Sequence, residues 1–148
     1  MANSIVIKNK KAGFEYFIFD TFSAGLLLTG TEIKSIRASK ANIGEAYCVF
    51  KGHELWVINM NISVYSHGTI YNHEPRRDRK LLLNNRELKR LQTKVKEKGF
   101  TIIPLMLYIN EKGLAKIDVA LARGKKMFDK RETIKQKDNR RELERNEN

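Results

Sequence analysis

Four groups of cations mark the chain: Lys8-Asn9-Lys10-Lys11, Lys34 with Arg37, the run RRDRK from Arg76 to Lys80, and the closing stretch from Gly124 to Asn148. Ammonium and guanidinium groups at this density neutralise phosphates, and a groove lined with them tracks a phosphate backbone. Tyr16, Tyr65, Tyr71 and Tyr108 add rings that stack on bases if they face outward, although aromatic residues in strands more often fill a core. RRDRK reads equally well as a solvated loop, because most charge runs are solvated faces.

Other chemistries lack their residues. GTEIKS has no glycine four positions ahead of a Gly-Lys pair, so it is not a phosphate loop. His53, His67 and His73 are spaced too irregularly for a local metal motif, and the one cysteine, Cys48, makes no CxxC. No pair of carboxylates stands in an apolar setting that would mark a general acid and base. No GxSxG or Cys-His signature is present. The expectation is a protein that is not an enzyme and needs no metal or cofactor.

Composition agrees with a binding role. The 148 residues suit one domain, and 29 Lys and Arg against 17 Asp and Glu leave a net charge of +12. Such a surplus favours an anionic partner, nucleic acid before membrane. The longest apolar runs, such as AGLLL, fall far short of the ~18 residues of a membrane span. The start, MANSIVIKNKKAG, lacks the apolar region of a signal peptide. Cys48 cannot form an internal disulfide and lies in YCVF, where it reads as a small buried hydrophobe. A reducing, cytoplasmic setting fits these features and is the expectation.

The elements that must hold these cations are mostly strands. Glu15 to Phe22 is aromatic and β-rich. TEIKSIR places Ile33 and Ile36 three apart, which predicts a short helix with one apolar stripe. Glu45 to Asn59 alternates, with Ala46, Cys48 and Phe50 on one face and a turn at Lys51-Gly52, which predicts a hairpin. Asn84 to Gly99 predicts the clearest helix. Asn84 can cap it with Glu87 reaching back, Leu88, Leu91 and Val95 make its stripe, and Gly99 stops it. Phe100 to Arg123 predicts a second hairpin turning at Glu111-Lys112-Gly113. Ala115, Ile117, Val119 and Leu121 form its apolar face, and the opposite face is mostly wet. Pro104 marks an edge or a bulge. About six short antiparallel strands suggest a barrel closed on itself.

From Arg123 onward ten basic residues stand against six acidic ones, with few apolar residues among them. Low hydrophobicity cannot offset about 1–2 kcal/mol of backbone entropy per ordered residue, so the free tail is expected to be disordered. Met127, Ile134 and Leu143 are spaced among helix-tolerant residues, so a charged partner could make the tail helical. The division expected is a barrel domain over residues 1–123 and a basic tail over 124–148.

NKKA (Asn9–Ala12), AGLLLTGTEIKSIRASKANI (Ala24–Ile43), RKLLLNNREL (Arg79–Leu88) and GKKMFDKR (Gly124–Arg131) together resemble the SsrA-binding protein family, also called small protein B. The blocks keep the family's order and near-family spacing over roughly residues 9 to 134, and GKKxxDKR after a hairpin is the most specific. The resemblance implies an oligonucleotide-binding-type (OB-like) antiparallel β-barrel with a few helices. It implies an RNA-binding adaptor that binds the tRNA-like domain of tmRNA and delivers it to stalled ribosomes for trans-translation. The partners implied are tmRNA and the ribosome, at its decoding centre and messenger channel; the protein is expected to be a monomer.

Carried onto matching positions, the tmRNA-binding residues would be Asn9, Lys10, Glu32, Lys34, Arg37, Leu82, Arg86 and Lys116. The basic ones would neutralise phosphates, Leu82 would pack on a base or sugar, and Glu32 would accept hydrogen bonds or brace its basic neighbours. The ribosome-contacting residues would be Gly124, Lys125, Lys126, Phe128, Asp129, Lys130 and Arg131, with Phe128 stacking on a base. Two positions depart from the family. Ser23 stands where an acidic residue is common, and Phe128 where His or Tyr is frequent. The competing reading is a general ribosome-associated or single-strand-binding module without tmRNA selectivity. A nuclease or modifying enzyme would need clustered carboxylates or a metal.

Overall fold

The computed structural model describes residues 5–66, 72–97 and 99–125. In chain order the elements are β1 (Val6–Lys8), α1 (Ala12–Glu15), β2 (Tyr16–Leu26), α2 (Gly30–Arg37), β3 (Ala41–Asn42), β4 (Tyr47–Lys51), β5 (Glu54–Ile58), β6 (Asn61–Ile62), β7 (Arg79–Leu82), α3 (Asn85–Val95), β8 (Phe100–Ile109) and β9 (Ala115–Gly124).

Six strands close a ring in the order β8-β4-β5-β7-β2-β9, with β9 returning to β8, and every pairing is antiparallel. Closure gives each ring strand a neighbour on both sides, although β7 meets β2 only at Gly25 and Leu26 and β4 meets β8 only at Ile102. The second edge of β8 is shared: β4 meets it at Ile102, and β1 pairs with Met106 to Tyr108. The short β3 and β6 pair with each other outside the ring. Both predicted hairpins form. Gly52 and Gly113 sit in their turns at positive φ, which favours glycine because it has no Cβ to clash. Asn110 fixes the second turn, accepting from the Lys112 and Leu114 N–H groups at 3.0 and 2.9 Å. Pro104 lies at a bulge, where the register against β9 shifts between Pro104 and Met106. The bulge accommodates a residue that has no N–H for a ladder.

The core fills the ring. Ala115, Ile117, Val119 and Leu121 of β9 point inward among Phe22, Leu26, Leu55, Val57, Leu81, Ile102 and Leu107. Ile36 of α2 and Leu91 of α3 join the same core, and Leu88 and Val95 pack against it, so the predicted stripe of α3 is its buried face. Asn84 accepts from the Glu87 N–H at 2.8 Å.

The outer face of β9 is only partly wet. Ala120 and Ala122 are buried there with Ala12 and Ile103, beneath α1, a helix the sequence pattern did not disclose. Two alanines in the sheet leave room for a one-turn helix to lie close. β9 runs through Gly124, so the strand includes the first residue assigned to the tail. Among the described residues, no helix is long and apolar enough to cross a membrane.

Candidate nucleic-acid interface

A cross-strand row on the outside of the barrel gathers two of the expected contacts. Leu82 of β7 lies opposite Gly25 of β2, Gly25 opposite Lys116 of β9, and Lys116 opposite Tyr108 of β8. Leu82 is about half exposed, at 48%. Its alternation on β7 explains this, because Arg79 and Leu81 face inward and leave Lys80 and Leu82 outside. Gly25 keeps the row low: a Cβ there would stand 3.3 Å from the Leu82 Cβ. One step along the strands, Ser23 lies opposite Asp118. The Ser23 hydroxyl bonds the Tyr108 oxygen at 3.0 Å, and the Tyr108 hydroxyl donates to Asp118 Oδ1 at 3.3 Å. Arg86 follows on the exposed first turn of α3.

Lys34 and Arg37 project from α2 at the end of the barrel where β8 turns into β9. Arg37 packs beside that turn, its Nη2 lying 3.5 Å from where a Cβ of Gly113 would stand. Lys34 Nζ lies 5.5 Å from the centre of the Tyr65 ring. With Lys40 these cations line an open cavity of about 580 Å³, walled by Ser63, Val64 and Tyr65. The Ser35 hydroxyl beside it is buried without a hydrogen-bond partner among the described residues. A cavity with three cations and a ring suits a folded phosphate backbone with a base or sugar against the ring.

Glu32 does something different from its basic neighbours. Its side chain is fully buried. Arg77 Nη2 donates to it at 2.6 Å, and the Arg79 Nε bonds its other oxygen. Its Oε1 also accepts from the Thr29 N–H at 2.9 Å, while the Thr29 hydroxyl accepts from the Glu32 N–H, a complete capping box. The helix therefore starts at Gly30 behind a Thr29 cap, one residue earlier than the pattern of TEIKSIR suggests. Of the two roles offered to Glu32, this geometry is that of a brace, and the arginines it braces come from the RRDRK run and not from α2. Burial alone would push its carboxyl up. The hydrogen bonds from Arg77, the Thr29 backbone and Arg79 outweigh burial and hold it below the ordinary value of 4.5. For Arg79 burial wins over the pair, and the guanidinium sits below its usual value.

RRDRK is consequently only in part a solvated run: Arg76 stays exposed, while Arg77 and Arg79 are committed to Glu32. Arg79 is fully buried and also donates to the Met60 carbonyl at 2.7 Å. Lys80 pairs with Glu54, Asp78 pairs with Lys51 at 2.6 Å, and Arg76 donates to Asn59 Oδ1 at 3.3 Å. His73 pins the same region: its Nε2 donates to the Ile62 carbonyl at 2.8 Å, and its Nδ1 accepts from Thr31 Oγ1 at 2.9 Å. These bonds fix α2 to the barrel, and α2 carries Lys34 and Arg37.

Asn9 and Lys10 lie toward the other end of β8. Asn9 Nδ2 donates to the Pro104 carbonyl at 2.9 Å, so its side chain holds the strand bulge, while Lys10 is exposed. Lys11 pairs with Glu45 at 3.0 Å, and that hydrogen bond raises its ammonium above the ordinary value. Gly124 ends β9 opposite Tyr16. Lys125 donates to the Gly13 carbonyl at 2.8 Å and lies 5.2 Å from the Phe17 ring centre. Lys126, Phe128, Asp129, Lys130 and Arg131, like the expected disorder and helicity of the tail, lie outside the described residues.

Sequence reasoning did not single out Gly25 or Lys40, and it raised Arg77 and Arg79 only as members of the RRDRK cation group. Gly25 and Lys40 stand within AGLLLTGTEIKSIRASKANI, and the inward register of Arg79 follows from its spacing to Leu81.

A small closed antiparallel barrel, its core continuous with two packed helices and its outer face carrying cations, is an oligonucleotide-binding-type barrel. The sequence profile described as "SmpB protein" matches residues 6–148. This chain belongs to the SmpB protein family. An SsrA-binding protein from Flavobacterium psychrophilum is 60% identical over 98% of this chain and 97% of its own length. One from Cytophaga hutchinsonii is 58% identical over 98% of this chain and 95% of its own. Among solved structures, a chain described under "tmRNA-SmpB: a journey to the center of the bacterial ribosome" superposes with a TM-score of 0.70. It shares 45% identity and covers 82% of this chain and 85% of its own.

Proposed function

We propose that this chain is a non-enzymatic, cytoplasmic RNA-binding adaptor. Its barrel binds the tRNA-like domain of tmRNA, and its C-terminal tail engages the decoding centre and messenger channel of a stalled ribosome. The observation that carries this reading is the row Leu82–Gly25–Lys116–Tyr108, in a chain whose relatives are SsrA-binding proteins. Lys10, Lys34, Arg37, Arg86 and Lys116 act on phosphates, and Leu82 packs on a base or sugar. Asn9 and Glu32 act through the elements they hold. Gly124 to Arg131 form the segment directed at the ribosome.

Removal of the residues from Gly124 onward tests the division of labour. The truncated barrel should keep its affinity for the tRNA-like domain while tagging of stalled products disappears. Loss of tmRNA binding on truncation would put the RNA site on the tail instead.

A further inference from the structure

The mouth of the barrel opposite the β8–β9 turn carries aromatic and cationic groups that the tmRNA reading does not use. β2 bulges between Ile18 and Asp20, and the extra residue, Phe19, leaves the ladder and is 56% exposed. Bulges commonly re-aim a side chain in this way. Phe19 meets Phe100 edge to face, with ring centres 5.1 Å apart. The Arg123 guanidinium lies 4.2 Å from the Phe100 ring centre and 5.8 Å from that of Phe19. Arg123 Nε is buried without a hydrogen-bond partner among the described residues, a costly state for a donor.

These rings wall a pocket of about 190 Å³ whose floor includes Leu91 and Leu121 and whose rim carries Arg90 and Lys94. Arg90 pairs with Asp20 at 2.8 Å across the opening. Lys94 stands 3.6 Å from Glu97, with about half its side chain exposed. The mouth of a barrel is a common position for a ligand site. An apolar floor, two aromatic walls and a guanidinium on the rim suit a flat ring system, and the rim cations suit the phosphates attached to it.

We propose that this mouth is a second RNA site, separate from the Leu82–Lys116 face, which takes one unpaired base of a single-stranded segment. The base stacks on the exposed Phe19 ring with its edge against Phe100, and Lys94 meets its flanking phosphate. Asp20 accepts from an exocyclic amine. The occupant is nucleic acid and not an apolar peptide because Arg90 and Lys94 stand on the rim, with Arg123 behind the Phe100 wall.

The probe is an adenine-rich single-stranded hexaribonucleotide carrying one 2-aminopurine, titrated with the full-length protein. Stacking should quench its fluorescence. Phe19→Ala should remove the quench and weaken binding about tenfold or more, the scale of one lost stacking contact. Affinity for the tRNA-like domain of tmRNA should stay as in the wild type. Lys94→Gln, a change on an exposed helix face that adds no like charge beside Glu97, should weaken the hexanucleotide with little change in melting temperature, which keeps the test decisive if Phe19→Ala fails to fold. An unquenched wild-type complex, or two variants that bind the hexanucleotide as the wild type does, would overturn the proposal. Equal loss of the tRNA-like domain on Phe19→Ala would also overturn it, because the mouth would then be part of the tmRNA face.

Discussion

Glu32 and Arg79 face each other with neither side chain exposed to water. The pair joins the first turn of α2 to β7, so the helix that carries Lys34 and Arg37 is tied to the barrel by a charge buried on both sides. Removing one partner of such a pair strands the other. Glu32→Gln is expected to cost about 3–5 kcal/mol. Urea unfolding at neutral pH measures it, and a loss below about 1 kcal/mol would mean that Arg79 finds compensation elsewhere.

The same carboxyl sets a pH dependence. Its folded value is held below the ordinary 4.5. Above pH 4.5 its contribution is fully present, since the carboxyl is ionised whether the chain is folded or not. As pH falls below 4.5 the unfolded chain takes up the proton first, and stability drains away until the folded carboxyl also titrates. Unfolding curves through that acid range should be steeper for the wild type than for Glu32→Gln. Parallel curves would place the acid sensitivity in other groups.

Leu82 and Lys116 should differ in kind. Lys116→Ala is expected to weaken tmRNA and reduce the salt slope of binding by about one unit, the signature of a lost phosphate contact. Leu82→Ala should weaken binding with the slope unchanged, because it removes packing alone. Titrations at several salt concentrations separate them. A slope change for Leu82→Ala, or none for Lys116→Ala, would reverse the assignment.

Asn9→Ala is expected to act on the barrel. Loss of its bond to the Pro104 carbonyl should lower stability by about 1 kcal/mol. A thermal melt reads this, with the salt slope for RNA unchanged. Weaker tmRNA binding at unchanged stability would make Asn9 a direct contact.

Cys48 is buried, and burial pushes its thiol up. A thiol-reactive disulfide reagent should label it only as fast as the barrel opens, and labelling should accelerate sharply in denaturant. Rapid labelling of the folded protein would contradict its place in the core.

The parts legible in the sequence are those with enough residues to show a period. α3 repeats Leu88, Leu91 and Val95, and both hairpins alternate around a turn glycine. α1, β1, β3 and β6 span four residues or fewer, too few for a period to appear. The role of Glu32 depends on Arg77 and Arg79, about 45 residues away, and only the closed ring brings them together. RRDRK looked like surface because its composition is polar. Its register against Leu81 puts Arg79 inside, and the residues that neutralise the run, Glu32, Lys51 and Glu54, come from other strands and a helix. The resemblance supplies site positions that periodicity cannot, but it leaves Glu32 between an acceptor and a brace and gives Asn9 no role distinct from the exposed cations around it.

The most direct test of the account titrates the protein with tmRNA and with ordinary tRNA under one salt concentration. The prediction is much tighter binding to tmRNA, with most of the preference lost in a Leu82→Ala, Lys116→Ala double variant that melts like the wild type. Equal affinity of the wild type for both RNAs would contradict it and leave a general RNA-binding barrel.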